Sequence, residues 1–438
     1  MRHKAAVLGR HCQNPSMAES TAAQLVSTPE EKLALITANT QEVLNPDIIE
    51  EILTKNERPL RIYWGTATTG KPHCGYFVPM LKIAEFLAAG CAVTILLADV
   101  HGYLDNLKAP IELVELRVVY YRLCITALLK AVNVDTSRLK FVIGSDYQYS
   151  PAYMKDLLKL STQVSVHDAS KAGSDVVKQT ESPPMSSHIY PLMQALDEEH
   201  LDVDAQFGGV DQRKIFALAV EALPRIGFRK RAHIMNPLIP GLQEGGKMSS
   251  SDPDSKIDLI DTAEVVKKKL KKAFCPPKQV EGNGVLSFVE HVLMPASALK
   301  NNGVACFSVP RRDAETKTYS DIKQMKDDYL ADVLQPQSLK PAVTDALLEI
   351  LGPIRAEFEG SQEWRNVEQK AYPPPPPPEK KQKKQKNLGS RFPGAGKDDD
   401  ANGDVVAKPD GHVEGKGAQE VAVGVKGLSV EDSAEKKA

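Results

Sequence analysis

Two periodicities alternate along the first two thirds of the chain. Short continuous apolar runs, too compact for helices, stand at Leu60–Gly65, Cys91–Asp99 and Leu139–Ser145. Such runs suit strands buried on both faces. Between them lie helical stretches, one running to Leu87 and one after Pro110 through Glu112, Leu113, Leu116, Val119, Tyr120 and Leu123. Strand alternating with helix predicts an α/β domain on a doubly wound parallel sheet. Two helices should precede it. Thr28-Pro29-Glu30-Glu31 has the threonine, first-turn proline and acids of a helix start, and Pro46 to Leu53 reads as the second. The following segment, with Leu33, Leu35, Ile36 and Val43 among polar residues, is expected to pack with them as a lead-in.

From Tyr147 to His188 strand runs disappear, and the pattern predicts a helical insertion between the halves of the sheet, usable as a dimer surface or a lid. Leu201 to Arg213 then reads as a strand emptying into Gly208-Gly209, and Ala232 to Pro240 as the last strand. Beyond Ser255 the pattern turns helical and basic, with apolar faces at Val285–Val289 and Val343–Phe358. The expected organisation is a leader over 1–27, a Rossmann-like domain over 28–255 with its insertion at about 147–188, a helical domain over 256–371, and a tail over 372–438. The tail opens with six prolines at 373–378, which favour an extended spacer. Five lysines follow among Glu379–Lys386, and the remainder has one aromatic, Phe392, so disorder is expected.

Composition narrows the class. A net charge of −2 over 438 residues confines any nucleic-acid contact to local patches such as Lys267–Lys272, which reads equally as a solvated helix face, an RNA contact or a nuclear-import signal. The longest apolar windows are shorter than a membrane span. Six cysteines without a Cys-x-x-Cys pair suggest neither zinc ribbon nor disulfide framework, which fits a reducing compartment. Arg2, Lys4 and Arg10 with no acid before Ala18 faintly suggest a transit peptide, but serine is sparse and no amphipathic period is clear, so a disordered cytosolic leader is expected.

Three stretches carry candidate chemistry. Gly245-Gly246-Lys247-Met248-Ser249-Ser250-Ser251 places one cation and three hydroxyls on a glycine-softened loop, which suits a phosphate clamp; taken alone it is a solvated loop. Thr66 to Tyr76 joins the first strand to a helix through a Gly/Thr-rich loop, with neither the dinucleotide fingerprint nor the P-loop spacing. His73 on that loop, by itself, reads as a cap or packing residue. Tyr190, Gln194 and Asp197, at i, i+4 and i+7, share a helix face and can ring a ligand bearing an ammonium and a hydroxyl. Flanking Leu192, Met193 and Leu196 argue that this face is buried rather than exposed. Asp211 and Gln212 follow the Gly-Gly turn, where backbone approaches a ligand closely.

Together these motifs resemble a tyrosyl-tRNA synthetase of the eukaryotic and archaeal type, a class I aminoacyl-tRNA synthetase. Pro72–Tyr76 is similar to the class's HIGH signature, Lys247–Ser251 to KMSKS, and Tyr190-x3-Gln194-x2-Asp197 and Gly208–Gln212 to the tyrosine and ribose elements, with agreement in kind from about Pro29 to Phe358. The resemblance implies activation of L-tyrosine by ATP, with Mg²⁺, and transfer to tRNA(Tyr) by a cytoplasmic homodimer. It assigns Tyr63 and Asp197 to the phenolic hydroxyl, and Tyr190, Gln194 and Gln212 to the ammonium end. It assigns His73, Lys247, Ser249, Ser250 and Ser251 to the ATP phosphates, with Gly75, Gly209, Asp211 and Met248 lining the nucleotide site. Tyr76 stands where HIGH has its second histidine, Ser250 where KMSKS has its second lysine, and Ser338 where the family has an anticodon-reading Asp. A tryptophanyl-tRNA synthetase and a non-catalytic RNA-binding scaffold are the rival readings. The Tyr63/Asp197 pair argues against the first, and retention of His73, Asp197, Gln212 and Lys247 against the second.

Overall fold

The computed structural model describes residues 28–105, 111–177, 180–246, 248, 252–301, 303–311 and 315–373. The leader, Lys247, Ser249, Ser250, Ser251 and the tail beyond 373 lie outside the described residues. The chain enters through a helix, Pro29–Thr37, closed at its start by the expected capping box: the Thr28 hydroxyl accepts from the Glu31 amide, and Glu31 reaches back to the Thr28 amide.

A six-stranded sheet follows. Its strands are β1 (Glu42–Leu44), β2 (Arg61–Ala67), β3 (Ala92–Ala98), β4 (Leu139–Ile143), β5 (Ala205–Gly209) and β6 (Ala232–Asn236). Their order is β1-β6-β5-β2-β3-β4, parallel except for β1, which runs antiparallel to β6. β1 was not expected. At three residues it is too short to show alternation, so the lead-in read as helical along its length. β2 pairs with β3 on one side and β5 on the other, and both its faces are largely buried. That position explains its apolar run. Winding reverses between β2 and β5, so the chain leaving each strand turns away in opposite directions. A crevice opens there at their carboxyl ends, where sheets of this kind bind ligands.

The helix Phe77–Ala88 leaves β2 through a loop and is buried along most of its circumference. It stops at Gly90, whose φ of +82° only glycine adopts without strain. The long helix after Pro110 spans Ile111–Ala131. The insertion holds two helices, Pro151–Ser161 and Val166–Gly173, each capped by a serine, Ser150 and Ser165. It leads into the helix Met185–His200, which carries Tyr190, Gln194 and Asp197 and is buried from Tyr190 through Glu198. The pattern of Leu192, Met193 and Leu196 therefore reported burial correctly.

After β6 the described chain is helical, with Ala263–Lys272, Gly284–Lys300, Ile322–Leu330, Pro336–Gly360 and Gln362–Ala371. The second of these contains a π turn over Val289–Leu293. An unexpected antiparallel pair, Phe307–Val309 with Lys317–Tyr319, interrupts the series, again in segments of three residues. One continuous apolar core runs from Ile62 and Phe86 in the sheet layer to Leu347, Leu351 and Trp364 in the last helices. Among the described residues no helix is long and apolar enough to cross a membrane.

Candidate active site

A cavity of about 940 Å³ occupies the crevice beyond β2 and β5. Its walls include Tyr63, His73, Gly75, Tyr190, Gln194, Asp197, Gly209, Asp211, Gln212 and Met248. Every candidate tyrosine residue, and every candidate ATP residue among those described, thus faces one space. Ser338 does not; it lies half-buried in the first turn of Pro336–Gly360.

The deep end is built around Asp197, only 1% exposed. One carboxylate oxygen, Oδ1, accepts three hydrogen bonds: from Tyr147 Oη at 2.7 Å, Gln148 Nε2 at 2.8 Å and Tyr153 Oη at 2.9 Å. The other, Oδ2, is buried without a hydrogen-bond partner. Burial pushes the carboxyl up to about 7; the three donors act against that rise, and neighbouring Glu198 adds to it. Tyr63 does not bond Asp197 directly. Its hydroxyl donates to the Gln194 backbone carbonyl at 3.3 Å. A buried acceptor with an open lone pair beside a phenol makes a receptor for a hydroxyl-bearing ligand.

The sequence reading missed four residues here. Tyr147, Gln148 and Tyr153 belong to the segment assigned to an insertion. The usable signal was position: Tyr147 and Gln148 follow β4 at the carboxyl edge of the sheet, where ligand residues gather. His101, 2% exposed on the short helix Asp99–Leu104 that follows β3, lines the same end. Its Nε2 is 3.8 Å from Asp197 Oδ2, and its ring sits edge-on to Tyr190 at 4.7 Å between centroids. Burial pulls its imidazole down to about 4, so it is neutral at neutral pH.

Next along the wall, amides form a relay. Gln194 Nε2 donates to Gln212 Oε1 at 3.1 Å, and Gln212 Nε2 to Asp211 Oδ1 at 3.3 Å. The relay brings the Met185–His200 helix against the turn after β5, and so joins two motifs that lie in separate elements. A side chain at Gly209 would meet Asp211 Oδ1 at 2.6 Å and Leu238 at 3.1 Å, so it would displace the Asp211 carboxylate at the end of the relay.

The outer end is made by the loop after β2. His73 is 7% exposed and caps the short turn that follows, its Nδ1 accepting from the Gly75 amide at 3.1 Å. This was the bland role expected of a lone histidine, yet the residue also faces the cavity. Because Nδ1 accepts, the ring proton sits on Nε2. Burial, helped by Lys256, lowers the imidazole to about 3, so His73 offers a neutral N–H donor rather than a charge. A Cβ at Gly75 would stand 2.8 Å from His73 Cε1 and 3.6 Å from Met248 Sδ. The loop is tied to the chain beyond the Gly245–Ser251 stretch: the Cys74 amide donates to the Ile257 carbonyl, and Lys256 Nζ to the Lys71 carbonyl. The feet of that stretch are also fixed, with the Met248 amide bonded to Ile239 O and Leu242 to Ser255 O. Among the described residues no group of three or more His, Cys, Asp or Glu side chains is placed to hold a metal ion.

Residues 55–352 match the family model described as tRNA synthetases class I (W and Y). The cytoplasmic tyrosine–tRNA ligase of Saccharomyces cerevisiae is 53% identical over 373 residues, covering 84% of this chain and 95% of the yeast protein. The corresponding ligase of Danio rerio is 55% identical over 79% of this chain, which spans 64% of that relative's length. Among solved structures, a tyrosyl-tRNA synthetase of Archaeoglobus fulgidus complexed with L-tyrosine superposes with a TM-score of 0.68 at 34% identity, over 75% of this chain and 99% of that one. A tryptophanyl-tRNA synthetase of Aeropyrum pernix shares the fold, with a TM-score of 0.56 at 19% identity. The chain belongs to the class I tRNA synthetases of the W and Y family and, within it, to the tyrosyl-tRNA synthetases of eukaryotic type.

Proposed function

We propose that the cavity activates L-tyrosine with ATP, substrate as its magnesium complex, and that the chain then charges tRNA(Tyr). The observation that carries the substrate choice is the unpartnered Oδ2 of Asp197 at the deep end. A phenolic hydroxyl entering beside Tyr63 would donate to Oδ2 and accept from the Tyr63 hydroxyl. Phenylalanine would leave Asp197 Oδ2 buried and unpaired, which is costly. An indole N–H could reach Oδ2 but would offer Tyr63 no acceptor, which disfavours tryptophan. Tyr190, Gln194 and Gln212 would hold the ammonium group.

The tyrosine carboxylate then attacks the α-phosphorus of ATP. An oxygen–phosphorus bond forms as the bond to the bridging oxygen of pyrophosphate breaks, and tyrosyl-adenylate remains. A terminal ribose hydroxyl of the tRNA next attacks the carbonyl carbon, and AMP leaves. A carboxylate is already a nucleophile, so positioning and charge stabilisation would supply the acceleration. Neutral His73 would donate from Nε2 to a phosphate oxygen, and Lys247 with Ser249, Ser250 and Ser251 would supply cation and hydroxyls. Gly75, Gly209 and Met248 would leave room for adenosine, with Asp211 near its ribose. With no metal-binding cluster among the described residues, Mg²⁺ would travel on the phosphates.

Tyr103, Ile111, Tyr149, Met154 and Leu158 expose apolar side chains on or beside a series of helices each touching the next, which supports a homodimer. A division near 255 into a catalytic and a helical anticodon-binding domain follows the change from sheet to helices, with Ser338 as anticodon reader. Lys267–Lys272 suits RNA phosphates or a nuclear pool beside the cytoplasmic location named for the relatives.

Pyrophosphate exchange with each of the twenty amino acids tests the reading, on wild type and Lys247→Ala. Exchange with tyrosine alone is expected, lowered about 10²- to 10³-fold in the variant. Absence of exchange with any amino acid would leave the RNA-binding scaffold standing instead.

A further inference from the structure

The wall of the cavity includes a residue from the far end of the described chain. Tyr372 directly follows the last helix, Gln362–Ala371, and faces the cavity together with Thr69, Gly70 and Arg117. Its hydroxyl donates to the Gly70 carbonyl at 3.1 Å, across 302 positions of sequence. The same carbonyl accepts from Tyr121 Oη at 2.5 Å. One turn earlier on the helix, Glu368 pairs with Lys71, and the ammonium of Lys71 also lies 5.5 Å from the centre of the Tyr372 ring. The clasp is itself held. Arg117 Nε donates to the Ala371 carbonyl at 3.2 Å, and the guanidinium stacks over the Tyr372 ring at 4.8 Å; Tyr120 packs edge-on at 5.1 Å. Gly70 and Lys71 immediately precede Pro72-His73-Cys74-Gly75. Two phenols and one carboxylate therefore fix the entry to the loop that presents His73.

We propose that Tyr372 and Glu368 are positioning residues for the ATP loop, so that the C-terminal end of the helical region sets the placement of His73 and Gly75. The stretch lies outside regular structure, because β2 ends at Ala67 and the next turn begins only at Cys74; besides this clasp it is held by Tyr121 at the Gly70 carbonyl and Lys256 at the Lys71 carbonyl. Of the segments anchoring it, only this one belongs to the last helices, which pack on one another and on Ile111–Ala131. Shifts in those helices would therefore be felt at the loop. The link to ATP rests on the activity proposed above; the clasp does not.

The test separates the two. Amide hydrogen exchange by mass spectrometry is compared for wild type, Tyr372→Ala, Tyr372→Phe and Glu368→Gln, alongside melting temperature and the KM for ATP and for tyrosine in pyrophosphate exchange. Tyr372→Ala is expected to speed exchange in 69–76 while β3 and Met185–His200 stay as protected as in wild type. KM for ATP should rise about tenfold, the worth of roughly one net hydrogen bond, with KM for tyrosine unchanged. Tyr372→Phe keeps the ring and should show a smaller change of the same kind, and Glu368→Gln, which keeps the volume of a half-buried side chain, guards against a failure to fold. Unaltered protection over 69–76 in all three variants would overturn the clasp, as would a loss spread evenly over the protein. Faster exchange at 69–76 in the variants, together with a wild-type protein that activates no amino acid, would uphold the clasp and reject the activity.

Discussion

The two ends of one cavity are built by opposite strategies. At the deep end, side chains do the work: a carboxylate, three phenols and three carboxamides stand in place, most of them bonded to one another before any ligand arrives. At the outer end, backbone does the work. Glycines at 75 and 209 stand where a side chain would collide, and His73 is spent partly on capping its own turn. The contrast follows from the ligands expected at each end. A phenol is small and neutral and must be told from near-copies, so fixed partners with one open valence serve it. A triphosphate is large and charged, and needs room and mobile cations more than shape.

The hardest test of this contrast is at Asp197. Replacing it by alanine takes the acceptor from Tyr147 and Gln148 in a buried interior, while Tyr153 keeps the Met193 carbonyl. Loss of about 3 kcal/mol of stability and of all measurable tyrosine activation is expected. Asp197→Asn separates the two losses. Its carbonyl oxygen still accepts from all three donors, so the fold should survive while activation collapses. Urea unfolding curves beside exchange rates check both, and an active Asn variant would mean that the deep end does not read the phenol through Oδ2.

Gly75→Ala probes the other strategy. The new methyl would press on the His73 ring at 2.8 Å. The ring has to move or the turn has to open, and the phosphate donor moves with it. A rise in the KM for ATP of about 30-fold is expected, with tyrosine binding and melting temperature close to wild type. A variant whose tyrosine affinity fell in step would show that the two ends are not independent.

How far the chain could be read follows the same division. The sheet was legible because strands buried on both faces must be continuously apolar, as at Ala92–Ala98. The ligand face of Met185–His200 was legible because helical period alone sets Tyr190, Gln194 and Asp197 in register. What periodicity cannot show is pairing between elements. The donors to Asp197 come from 44 to 50 positions away, and Tyr372 reaches Gly70 across 302. The strand Glu42–Leu44 escaped for a different reason, its three residues being too few for alternation to register.

A pH effect of intermediate size should distinguish the ends. Folding raises the Asp197 carboxyl from its ordinary 3.8 to about 7, so the empty protein binds more protons here than the unfolded chain. This group therefore costs stability increasingly as pH climbs from about 4 to 7, and by a constant amount above. A phenol donating to Oδ2 favours the ionised form. Tyrosine affinity should accordingly rise by somewhat less than tenfold between pH 6 and 7 and level off above, measured by calorimetry without ATP. Asp197→Asn should flatten the profile. ATP affinity in the absence of tyrosine should not share the rise, since burial has already driven His73 down to about 3 and out of this range.

The smallest change expected is the one that tunes this profile. Tyr147→Phe removes a single donor to Oδ1, a bond of 2.7 Å, and leaves Gln148 and Tyr153 in place. Stability should fall by only about 1 kcal/mol, because the acceptor keeps two of its three partners. The carboxylate, however, loses one of the groups that favour its charged form, so the Asp197 carboxyl should climb further and carry the midpoint of the tyrosine-binding rise upward with it. At pH 7 affinity should drop a few-fold, and at pH 9 it should return close to the wild-type value. Recovery at high pH would mark Tyr147 as a residue that sets the charge of the receptor; an equal deficit at every pH would mark it as one that sets only its shape.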